Sequence, residues 1–447
     1  MGDVIPPRTL KGFRDLLPAA AIRRERLVSA AIEVYRSYGY VPIDTPALEL
    51  AEILTGGGGA DAEKQMYRFE DAGGREVAMR FDLTVPLARF AAQHIDVLGT
   101  PFKRYHIAPV WRGENPQKGR YREFVQCDFD TIGTESAVAD IETVLVVHDL
   151  FAAVGAGPFT IRVNDRRILN AVLAATGLAD RSEAVLRALD RIGKVGAERV
   201  AADLEAQGAP TDQVDSLLAT VDPGAAAGDA RDRLTVAVGG DEAAQTAIGA
   251  LGTLLEAAGA VGIPAGRIVV DGSIARGLDY YTGIVFETYL DQRPDIGSCC
   301  SGGRYDDLAS RYTTRRLPGV GGSLGVDRLL VAIEEQEEGE GAVTAAVLIT
   351  RFGDEEVVGL LALADSIRRA GIGVEVYPDA DRIGKQLRYA DRRRHRLVVI
   401  AGPDERAAGT VTLKDMASGE EQPVTVAVAV EEIGRALGAG SGTNRGI

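Results

Sequence analysis

The chain has 447 residues, of which 46% are hydrophobic, a length that predicts about three domains with filled cores. It contains no long apolar run and no recognisable secretory leader, so we expect a soluble, cytoplasmic protein with no membrane contact. The formal net charge of −15 excludes recognition of nucleic acid by bulk charge, and such a function would need a local basic patch.

The first predicted elements are a helix and an extended segment. Apolar residues recur at helical spacing over residues 19–38, and VPIDTPALEL after Gly39 is interpreted as extended. The glycine run at 56–59 predicts a loop. In MRFDLTVPLA, at 79–88, we predict a short strand that places Asp82 and Thr84 on the same side.

Residues 103–133 predict two strands joined by a short polar turn. Side chains in a strand alternate between two faces, so one face of the second strand would bind a ligand while the other packs. The ligand-binding face would carry Arg120, Arg122, Phe124, Gln126, Asp128 and Asp130, and the packing face would carry Val125, Cys127 and Phe129. With Arg112 on the first strand, this composition favours a hairpin built around an anion over a solvated strand face.

The composition and the predicted secondary structure change at several places in the rest of the chain. Residues 166–262 are alanine-rich and helical in pattern, and β-branched runs typical of strands return after them. The acidic, glycine-containing stretch 334–341 is interpreted as a linker. Beyond it, strand and helix patterns alternate, which predicts a small α/β domain.

A basic segment at 382–396 interrupts this acidic chain. Seven lysines and arginines face a single acidic residue, Asp391, and four of the basic residues share one predicted helix face: Arg382, Lys385, Arg388 and Arg392. Most charge runs are solvated helix faces. The local reversal of charge makes RNA contact an equally good interpretation.

The three cysteines, Cys127, Cys299 and Cys300, form neither a disulfide framework nor a CxxC zinc pattern. We interpret them as small core or turn residues, and we predict no metal site built from side chains. No Walker A sequence occurs, and no GxGxxG follows a strand, so arginines are the expected phosphate-binding groups.

Four segments together resemble the histidyl-tRNA synthetases, a family of class II aminoacyl-tRNA synthetases. The hairpin at 103–133 is similar to motif 2, and GVGGSLGVDRLL at 319–330 is similar to motif 3. RGLDYYTGIVFE at 276–287 and SGGRYDDL at 301–308 resemble the two histidine signatures. The segments stand in the family's order, and the resemblance extends over essentially the whole chain from LKGFRDLLP at 10–18.

The resemblance implies an α+β fold. A class II catalytic domain, an antiparallel sheet flanked by helices, would be discontinuous over 1–165 and 263–334, with a helical insertion at 166–262. A linker at 335–343 would lead to an α/β anticodon-binding domain at 344–447. The helix and strand at the N-terminus look like motif 1, which implies a homodimer.

The resemblance also implies the reaction. A histidine–tRNA ligase activates L-histidine with ATP and Mg²⁺ to histidyl-adenylate and pyrophosphate, and then transfers histidine to the 3′ end of tRNA(His). Arg112 would bind the α-phosphate and the substrate carboxylate, and Arg276 would act as an electrostatic catalyst. The ATP site would contain Arg112, Glu114, Arg120, Phe124 and Arg328. The alternatives are salt-bridged arginines and a core phenylalanine.

Histidine selection is assigned to a second group. Asp82, Thr84 and Gln126 would hold the α-amino group, Asp130 and Tyr281 would bond the ring, and Tyr305 would close the pocket; Tyr280 is assigned to the same site. The two adjacent tyrosines could equally be core aromatics of a strand. For tRNA, the expected contacts are Gln117, Lys118, Arg382, Lys385 and Arg388. The four histidines, His94, His106, His148 and His395, match no catalytic position and are interpreted as structural or surface residues.

Three other functions fit parts of the pattern. A regulatory subunit of ATP phosphoribosyltransferase shares this fold, but it lacks the C-terminal domain and usually the RGLDYYTG signature. A class II synthetase for another amino acid would not carry both histidine signatures. A binding module without catalysis would not explain the matched polar pocket positions.

Overall fold

The structure is a computed structural model that describes residues 4–55, 63–117, 119–221, 227–275, 281–336 and 344–438. Its backbone divides into two compact units, one formed by Met1–Asp15 and Arg24–Gln336, and the other by Leu16–Arg23 and Glu337–Ile447. Within the described ranges, no helix is both long and apolar enough to cross a bilayer.

The first 336 residues contain the larger set of elements. The strands are β1 (Val41–Pro42), β2 (Leu48–Leu50), β3 (Arg68–Glu70), β4 (Glu76–Met79), β5 (Phe102–Trp111), β6 (Glu123–Ile132), β7 (Phe159–Asp165), β8 (Ile268–Val270), β9 (Ile284–Leu290), β10 (Cys300–Tyr305) and β11 (Gly319–Gly325). The helices outside the insertion are α1 (Pro18–Ser37), α2 (Ala51–Leu54), α3 (Thr84–Leu98) and α4 (Ala137–Val154).

The predicted insertion consists of helices joined by turns in its described residues, with no strand among them. It contains α5 (Arg166–Ala175), α6 (Ser182–Leu189), α7 (Ile192–Val195), α8 (Ala197–Ala206), α9 (Thr211–Val221), α10 (Ala227–Val238) and α11 (Glu242–Ala260). Helix α12 (Val326–Gln336) ends the unit, and single 3₁₀ turns occur at Ala179–Arg181, Pro294–Ile296 and Leu308–Arg311.

An eight-stranded mixed sheet organises the first unit, in the order β1-β5-β6-β11-β10-β9-β7-β8. The prediction of an antiparallel sheet is confirmed for its six central strands, whereas both edge pairs, β1 with β5 and β7 with β8, are parallel. Strands β2, β4 and β3 form a separate three-stranded sheet.

The hairpin of β5 and β6 forms with one apolar face and one polar face, as predicted, but residues 112–122 join the strands in place of a short turn, so Arg120 and Arg122 precede β6. Cys127 and Phe129 are fully buried, and Phe129 contacts Tyr35 of α1 with ring centroids 5.2 Å apart. The Tyr35 hydroxyl donates to the Cys127 carbonyl at 3.0 Å. Burial of this aromatic cluster fixes the register of β6, because a slip of one residue would exchange the two faces. Asp128 and Asp130 are thereby held on the opposite face.

The second unit is an α/β domain with its own sheet. Its strands are β12 (Val347–Ile349), β13 (Val374–Val376), β14 (Leu397–Ile400), β15 (Thr410–Asp415) and β16 (Glu421–Thr425), and its helices are α13 (Val357–Arg369), α14 (Ile383–Arg393), α15 (Pro403–Ala408) and α16 (Ala429–Ala436). Strands β12, β13 and β14 are parallel, and β15 and β16 add an antiparallel edge. The predicted alternation through β14 is confirmed, but the sequence analysis did not predict the edge hairpin.

One predicted element is wrong. Residues 79–88 do not form a strand, since β4 ends at Met79 and α3 begins at Thr84. Asp82 Oδ1 accepts a hydrogen bond from the Val85 N–H at 3.0 Å, which satisfies one of the free amides of the first helical turn. Pro86 is tolerated there because first-turn amides need no partner within the helix. An aspartate followed by a proline four residues later was an available signal for this helix start.

The linker also starts later in the chain than predicted. Helix α12 continues to Gln336, whereas the linker was predicted to begin at 335, because the glutamates of this stretch are good helix formers. The rest of the predicted linker, the glycine run at 56–59, and the residues Lys118, Arg276 and Tyr280 lie outside the described residues.

Candidate active site

A cavity of about 360 Å³ opens on the polar face of the large sheet. Its wall is formed by β6, β10 and β11, by the ends of β5 and α3, and by the first turn of α12. The lining residues are Asp82, Thr84, Arg112, Glu114, Gly119, Arg120, Tyr121, Phe124, Val125, Gln126, Asp128, Asp130, Tyr281, Ser298, Cys299, Cys300, Ser301, Tyr305, Gly321, Gly322, Ser323, Gly325, Asp327 and Arg328.

The cavity brings together most of the residues that the sequence analysis placed in the site. From the predicted nucleotide set it contains Arg112, Glu114, Arg120, Phe124 and Arg328, and from the predicted histidine set it contains Asp82, Thr84, Gln126, Asp130, Tyr281 and Tyr305. Gln117 does not line it and lies in the turn of the hairpin, where its N–H donates to the Arg120 carbonyl at 3.0 Å.

One end of the cavity is acidic. Asp128 and Asp130 are 2% and 3% exposed, and Asp82 lies nearby at the start of α3. Asp130 Oδ1 accepts a hydrogen bond from the Tyr305 hydroxyl at 2.5 Å, and its Oδ2 lies 2.5 Å from the Arg104 guanidinium. Arg104 is fully buried beneath the cavity on β5, opposite Asp130 in the sheet register.

Burial dominates the electrostatics of this end. It raises the pKa of Asp130, although the Arg104 charge and the Tyr305 hydrogen bond oppose the shift. Burial likewise raises the pKa of Asp128 to about 7, against the opposing charge of Arg104. The pKa of Asp82 is raised by burial and is partly held down by the Val85 N–H and by Arg112. The carboxyl groups therefore favour a ligand that brings positive charge or N–H donors.

The other end of the cavity is rich in arginine. Arg112 Nε donates to the Phe81 carbonyl at 3.1 Å, and its guanidinium lies over the rings of Phe81 and Phe124, 4.3 and 5.1 Å from their centroids. Glu114 lies 4.0 Å from Arg112 and 3.7 Å from Arg120. Stacking and hydrogen bonding fix the direction of Arg112, so its remaining N–H groups are available to an anion.

Three residues that the sequence analysis missed hold this end in place. Arg14 forms an ion pair with Asp327, and its guanidinium lies over the Tyr121 ring, 3.7 Å from the centroid. Asp327 Oδ2 accepts from the Val125 N–H at 3.0 Å. This clamp joins the N-terminal segment, β6 and α12 next to Arg328. No sequence signal could have found it, since its members lie more than 100 residues apart.

Glycines make room for the acidic end. A Cβ on Gly321 would lie 2.2 Å from Asp130 Oδ1, and one on Gly302 would lie 2.1 Å from the Gly321 carbonyl. A Cβ on Gly319 would lie 2.4 Å from the Tyr305 ring. The glycines of β10 and β11 therefore permit the close strand approach on which the cavity depends.

The three cysteines and His106 are buried and have no assigned role in the chemistry of the site. All three cysteines are free and buried, and burial raises the pKa of Cys299 to about 11, so that its thiol is inert. His106 is buried beside Arg104 and Arg80, and burial, with the repulsion of those charges, lowers its pKa to about 4. Among the described residues, no cluster of three or more His, Cys, Asp or Glu side chains could hold a metal ion.

The basic helix of the second unit is α14. Arg382, Lys385, Arg388 and Arg392 are exposed along it, as predicted. Gln386 is buried on the opposite face, where it donates to the Arg351 and Asp381 carbonyls at 2.6 and 2.7 Å. These hydrogen bonds fix the start of the helix and leave the basic face toward solvent.

Comparisons with known proteins agree with this geometry. Residues 12–329 match the family described as histidyl-tRNA synthetase, and residues 345–435 match the anticodon binding domain. A curated histidine–tRNA ligase from Rhodopirellula baltica is 54% identical over 94% of this chain and 96% of its own length.

Solved structures show the same relationship. The histidyl-tRNA synthetase of Nostoc sp. PCC 7120 superposes with a TM-score of 0.87 at 33% identity, over 97% of this chain and all of that one. A Bacillus halodurans structure, described as an ATP phosphoribosyltransferase regulatory subunit/histidyl-tRNA synthetase, shares the fold with a TM-score of 0.74 at 22% identity, over 90% of this chain and all of that one. On its sequence, its cavity and these matches, the chain belongs to the histidyl-tRNA synthetase family of class II aminoacyl-tRNA synthetases.

Proposed function

We propose that this protein is a histidine–tRNA ligase, which makes histidyl-adenylate from L-histidine and ATP and then esterifies the 3′ end of tRNA(His). The observation that carries the proposal is the charge pattern of the cavity, with carboxyl groups at one end and three lining arginines at the other. A zwitterionic amino acid with an N–H-bearing ring and a polyanionic nucleotide would each meet the complementary end.

The acidic end would select histidine. Asp82, Thr84 and Gln126 would hold the α-ammonium group, and Asp130 and Tyr281 would bond the imidazole nitrogens. Tyr305 and Arg104 fix the Asp130 carboxylate, which retains acceptor capacity because an ionised carboxylate has about four lone-pair sites. Such a site disfavours rings without N–H groups, since its own polar atoms would lose their partners.

The arginine end would bind the nucleotide. Arg112, Arg120 and Arg328 would neutralise the triphosphate, Glu114 would take part in the same site, and the Phe124 ring would support the adenine. Magnesium would arrive as the ATP complex, since Mg²⁺ commonly binds phosphates with only one or two protein carboxylates. The carboxylate nearest to the expected phosphates is Glu114, which lies between Arg112 and Arg120.

In this proposal, Arg112 would join the two substrates. It lies beside Phe81, one residue from Asp82, and also beside Glu114 and Phe124. There it would hold the histidine carboxylate and the α-phosphate together for in-line attack, with its charge stabilising the transition state. Arg276, outside the described residues, stays our prediction for the second electrostatic catalyst, and Tyr280 for a neighbour of the ring.

For tRNA, we assign the hairpin turn with Gln117 and Lys118 to the acceptor end. The exposed basic face of α14, with Arg382, Lys385 and Arg388, would contact the anticodon arm. The enzyme would act in the cytoplasm.

A homodimer is part of the proposal. Edge strands β1, β2 and β3 carry exposed apolar side chains, with Val41, Leu48, Leu50 and Phe69 each 41–49% exposed. Light scattering of the purified protein would test for a mass of about twice 47.3 kDa.

The test of the ligase function is amino-acid-dependent exchange of pyrophosphate into ATP, measured with each standard amino acid in turn. Exchange with histidine alone is expected, followed by charging of tRNA(His) when the transcript is added. A folded protein that exchanges with no amino acid would instead support the regulatory function, because that role needs no adenylate chemistry.

A further inference from the structure

Asp128 is a buried carboxyl group for which the proposed reaction has no role. It lies in the middle of β6, is 2% exposed, and lines the acidic end of the cavity. A carboxylate in such a position is costly unless it is paired or hydrogen-bonded. The side chain of Ser323, opposite it on β11, hydrogen-bonds this carboxyl group and leaves capacity for a further partner from the cavity.

All three carboxyl groups at this end have partners, but one oxygen of Asp128 has none. Asp130 is held by Tyr305 and Arg104, and Asp82 accepts from the Val85 N–H. The Asp128 carboxyl group is hydrogen-bonded by the Ser323 side chain, but its Oδ1 is buried and has no hydrogen-bond partner within the described part of the chain. An unsatisfied acceptor at a cavity wall is the feature expected of a ligand-binding group.

The charges around Asp128 also favour a ligand-binding role. Beneath these three carboxyl groups lies one buried guanidinium, Arg104, which is already paired with Asp130. Burial is the main cause of the raised pKa of Asp128, with contributions from the charges of Asp130 and Asp82, and the Arg104 charge and the Ser323 hydrogen bond only partly oppose it. A ligand N–H or positive charge beside Asp128 would stabilise its ionised form.

The strand geometry allows one ring to reach both aspartates. Residues two apart on a strand share a face, and their Cα atoms lie about 7 Å apart. Strand β11 places Gly321 opposite Asp130 and Ser323 opposite Asp128, so only small side chains stand across from the two carboxyl groups. The space above them is therefore open to a planar ligand.

We propose that Asp128 is a further specificity-determining residue, whose carboxylate accepts a hydrogen bond from an imidazole N–H of the substrate beside Asp130. The inference rests on the proposed function, because it takes histidine as the ligand. Two carboxylates at the ring would favour an imidazole over the amide and phenol side chains of similar size, since only the imidazole can gain positive charge.

The effect should depend on pH in a defined way. The titratable or charged groups that interact with Asp128 or lie opposite it in the sheet are Arg104 and His106 from β5, Asp130 and Cys127 from β6, Cys300 from β10, Tyr35 from α1, and Asp82. The pKa of His106 is lowered to about 4, and burial raises the pKa values of Tyr35, Cys127 and Cys300, so these four stay neutral between pH 6 and 8. With its pKa at about 7, Asp128 ionises within this range.

The experiment compares D128N with the wild-type protein by pyrophosphate exchange and by calorimetric titration of L-histidine, at pH 6 and pH 8. At pH 8 we expect the KM for histidine, and its dissociation constant, to rise about tenfold or more in D128N, because a charged acceptor becomes a neutral one. At pH 6, where wild-type Asp128 is largely protonated, the two proteins should nearly agree. The KM for ATP should not change at either pH.

The matched control is D271N. Asp271 is 5% exposed and paired with Arg162 at 3.0 Å, outside the cavity, so this variant reports the general cost of neutralising a buried aspartate. An equal loss at both pH values, or no loss at pH 8, overturns the inference. If D128N does not fold, D128S should show the same pH-selective loss.

The two proposals fail separately. Wild-type protein that binds histidine but catalyses no exchange would contradict the ligase function, while the calorimetric comparison would still decide the role of Asp128. Normal exchange by D128N at pH 8 would contradict only the role of Asp128. Absence of histidine binding to the wild-type protein would overturn both.

Discussion

The Arg104 guanidinium lies 2.5 Å from Asp130 Oδ2, and both side chains are almost fully buried in the central sheet. The two residues lie opposite each other, Arg104 on β5 and Asp130 on β6, directly beneath the acidic end of the cavity. Because Asp82 and Asp128 lie beside it with raised pKa values, Arg104 is the main buried counter-charge for the site. The stability of the sheet and the proposed histidine site therefore both depend on this one residue.

Arg104→Met should destabilise the first unit strongly. Removing one partner of a buried ion pair commonly costs about 3–5 kcal/mol, because the other charge is left without compensation. The loss should be larger at pH 8 than at pH 5, since protonation of the aspartates relieves it. Trp111, the single tryptophan of the chain, lies at the end of β5 and reports urea unfolding of this sheet by fluorescence.

Arg187→Ala is the control for that experiment. Arg187 pairs with Glu183 one helical turn away, and both side chains are more than half exposed. Exposed pairs of this kind contribute about 0.3–0.5 kcal/mol. A loss of similar size in both variants would contradict the assignment of Arg104 as the buried counter-charge.

Gly321→Ala should disturb the same carboxylate from the opposite strand. The added Cβ would lie 2.2 Å from Asp130 Oδ1, so Asp130 or β11 must shift. Overpacking of this kind costs about 1–3 kcal/mol, and we expect the KM for histidine to rise more than the KM for ATP. Gly249→Ala, in helix α11 with nothing within 4 Å of its added Cβ, should be neutral or slightly stabilising. Equal KM values for G321A and the wild-type protein would show that Asp130 does not define the histidine site.

The local pattern of the chain predicted much of this architecture. Alternation in 120–130 placed Asp128 and Asp130 on one face and Phe129 on the other, and the glycine-rich strand before Arg328 was readable as β11 and α12. These elements are predictable because burial of one face fixes strand register. The start of α3 was missed because the strand pattern at 79–88 was too short to decide, and because Asp82, which bonds the Val85 N–H, stands one residue before the capping position Leu83.

What the sequence could not predict is long-range pairing. Arg104 was one basic residue in a strand pattern, and nothing local showed that it would be buried against Asp130, 26 positions away. Nothing in the local sequence showed the ion pair of Arg14 either, since its partner Asp327 lies at the other end of the unit. Asp128 was placed on the correct face but received no role, because its unsatisfied oxygen is visible only when the surrounding atoms are known.

Arg14→Ala should weaken ATP binding selectively. Arg14 holds Asp327 and covers Tyr121, and the neighbouring Arg328 lines the arginine end of the cavity. Loss of a hydrogen-bonded charge contributes about 1.5–3 kcal/mol, so we expect the KM for ATP to rise about tenfold or more while the KM for histidine changes little. Arg14→Lys should recover part of the loss, because it keeps the charge without the planar fork.

Arg8→Ala, an exposed arginine of the same segment, is the control for the Arg14 clamp. It should leave both KM values near those of the wild-type protein. If R14A raises the two KM values equally, Arg14 supports the fold in general and does not position the nucleotide site.

The stability of D128N should diverge from that of the wild-type protein as pH rises. Folding raises the pKa of Asp128 to about 7, above its value of about 3.9 in the unfolded chain. Between about pH 4 and 7 the native state therefore binds more protons, so this carboxyl group lowers wild-type stability as pH increases, by up to about 1.4 kcal/mol per pH unit. The amide lacks this penalty. D128N without substrate should be the more stable protein at pH 8, and parallel urea-unfolding curves from pH 5 to 8 would contradict the raised pKa.

Arg388→Ala should separate tRNA binding from amino-acid activation. Arg388 lies on the exposed face of α14, in the unit that matches anticodon-binding domains, so histidine-dependent pyrophosphate exchange should be unchanged. The KM for tRNA(His) should rise, and the slope of log affinity against log salt should fall by about one, because one phosphate contact is lost. Arg435→Ala is matched to it, since Arg435 is also exposed on this unit but pairs with Glu431 and Glu432. If both variants lower tRNA affinity equally, binding follows the net charge of the unit, and the α14 face has no special role.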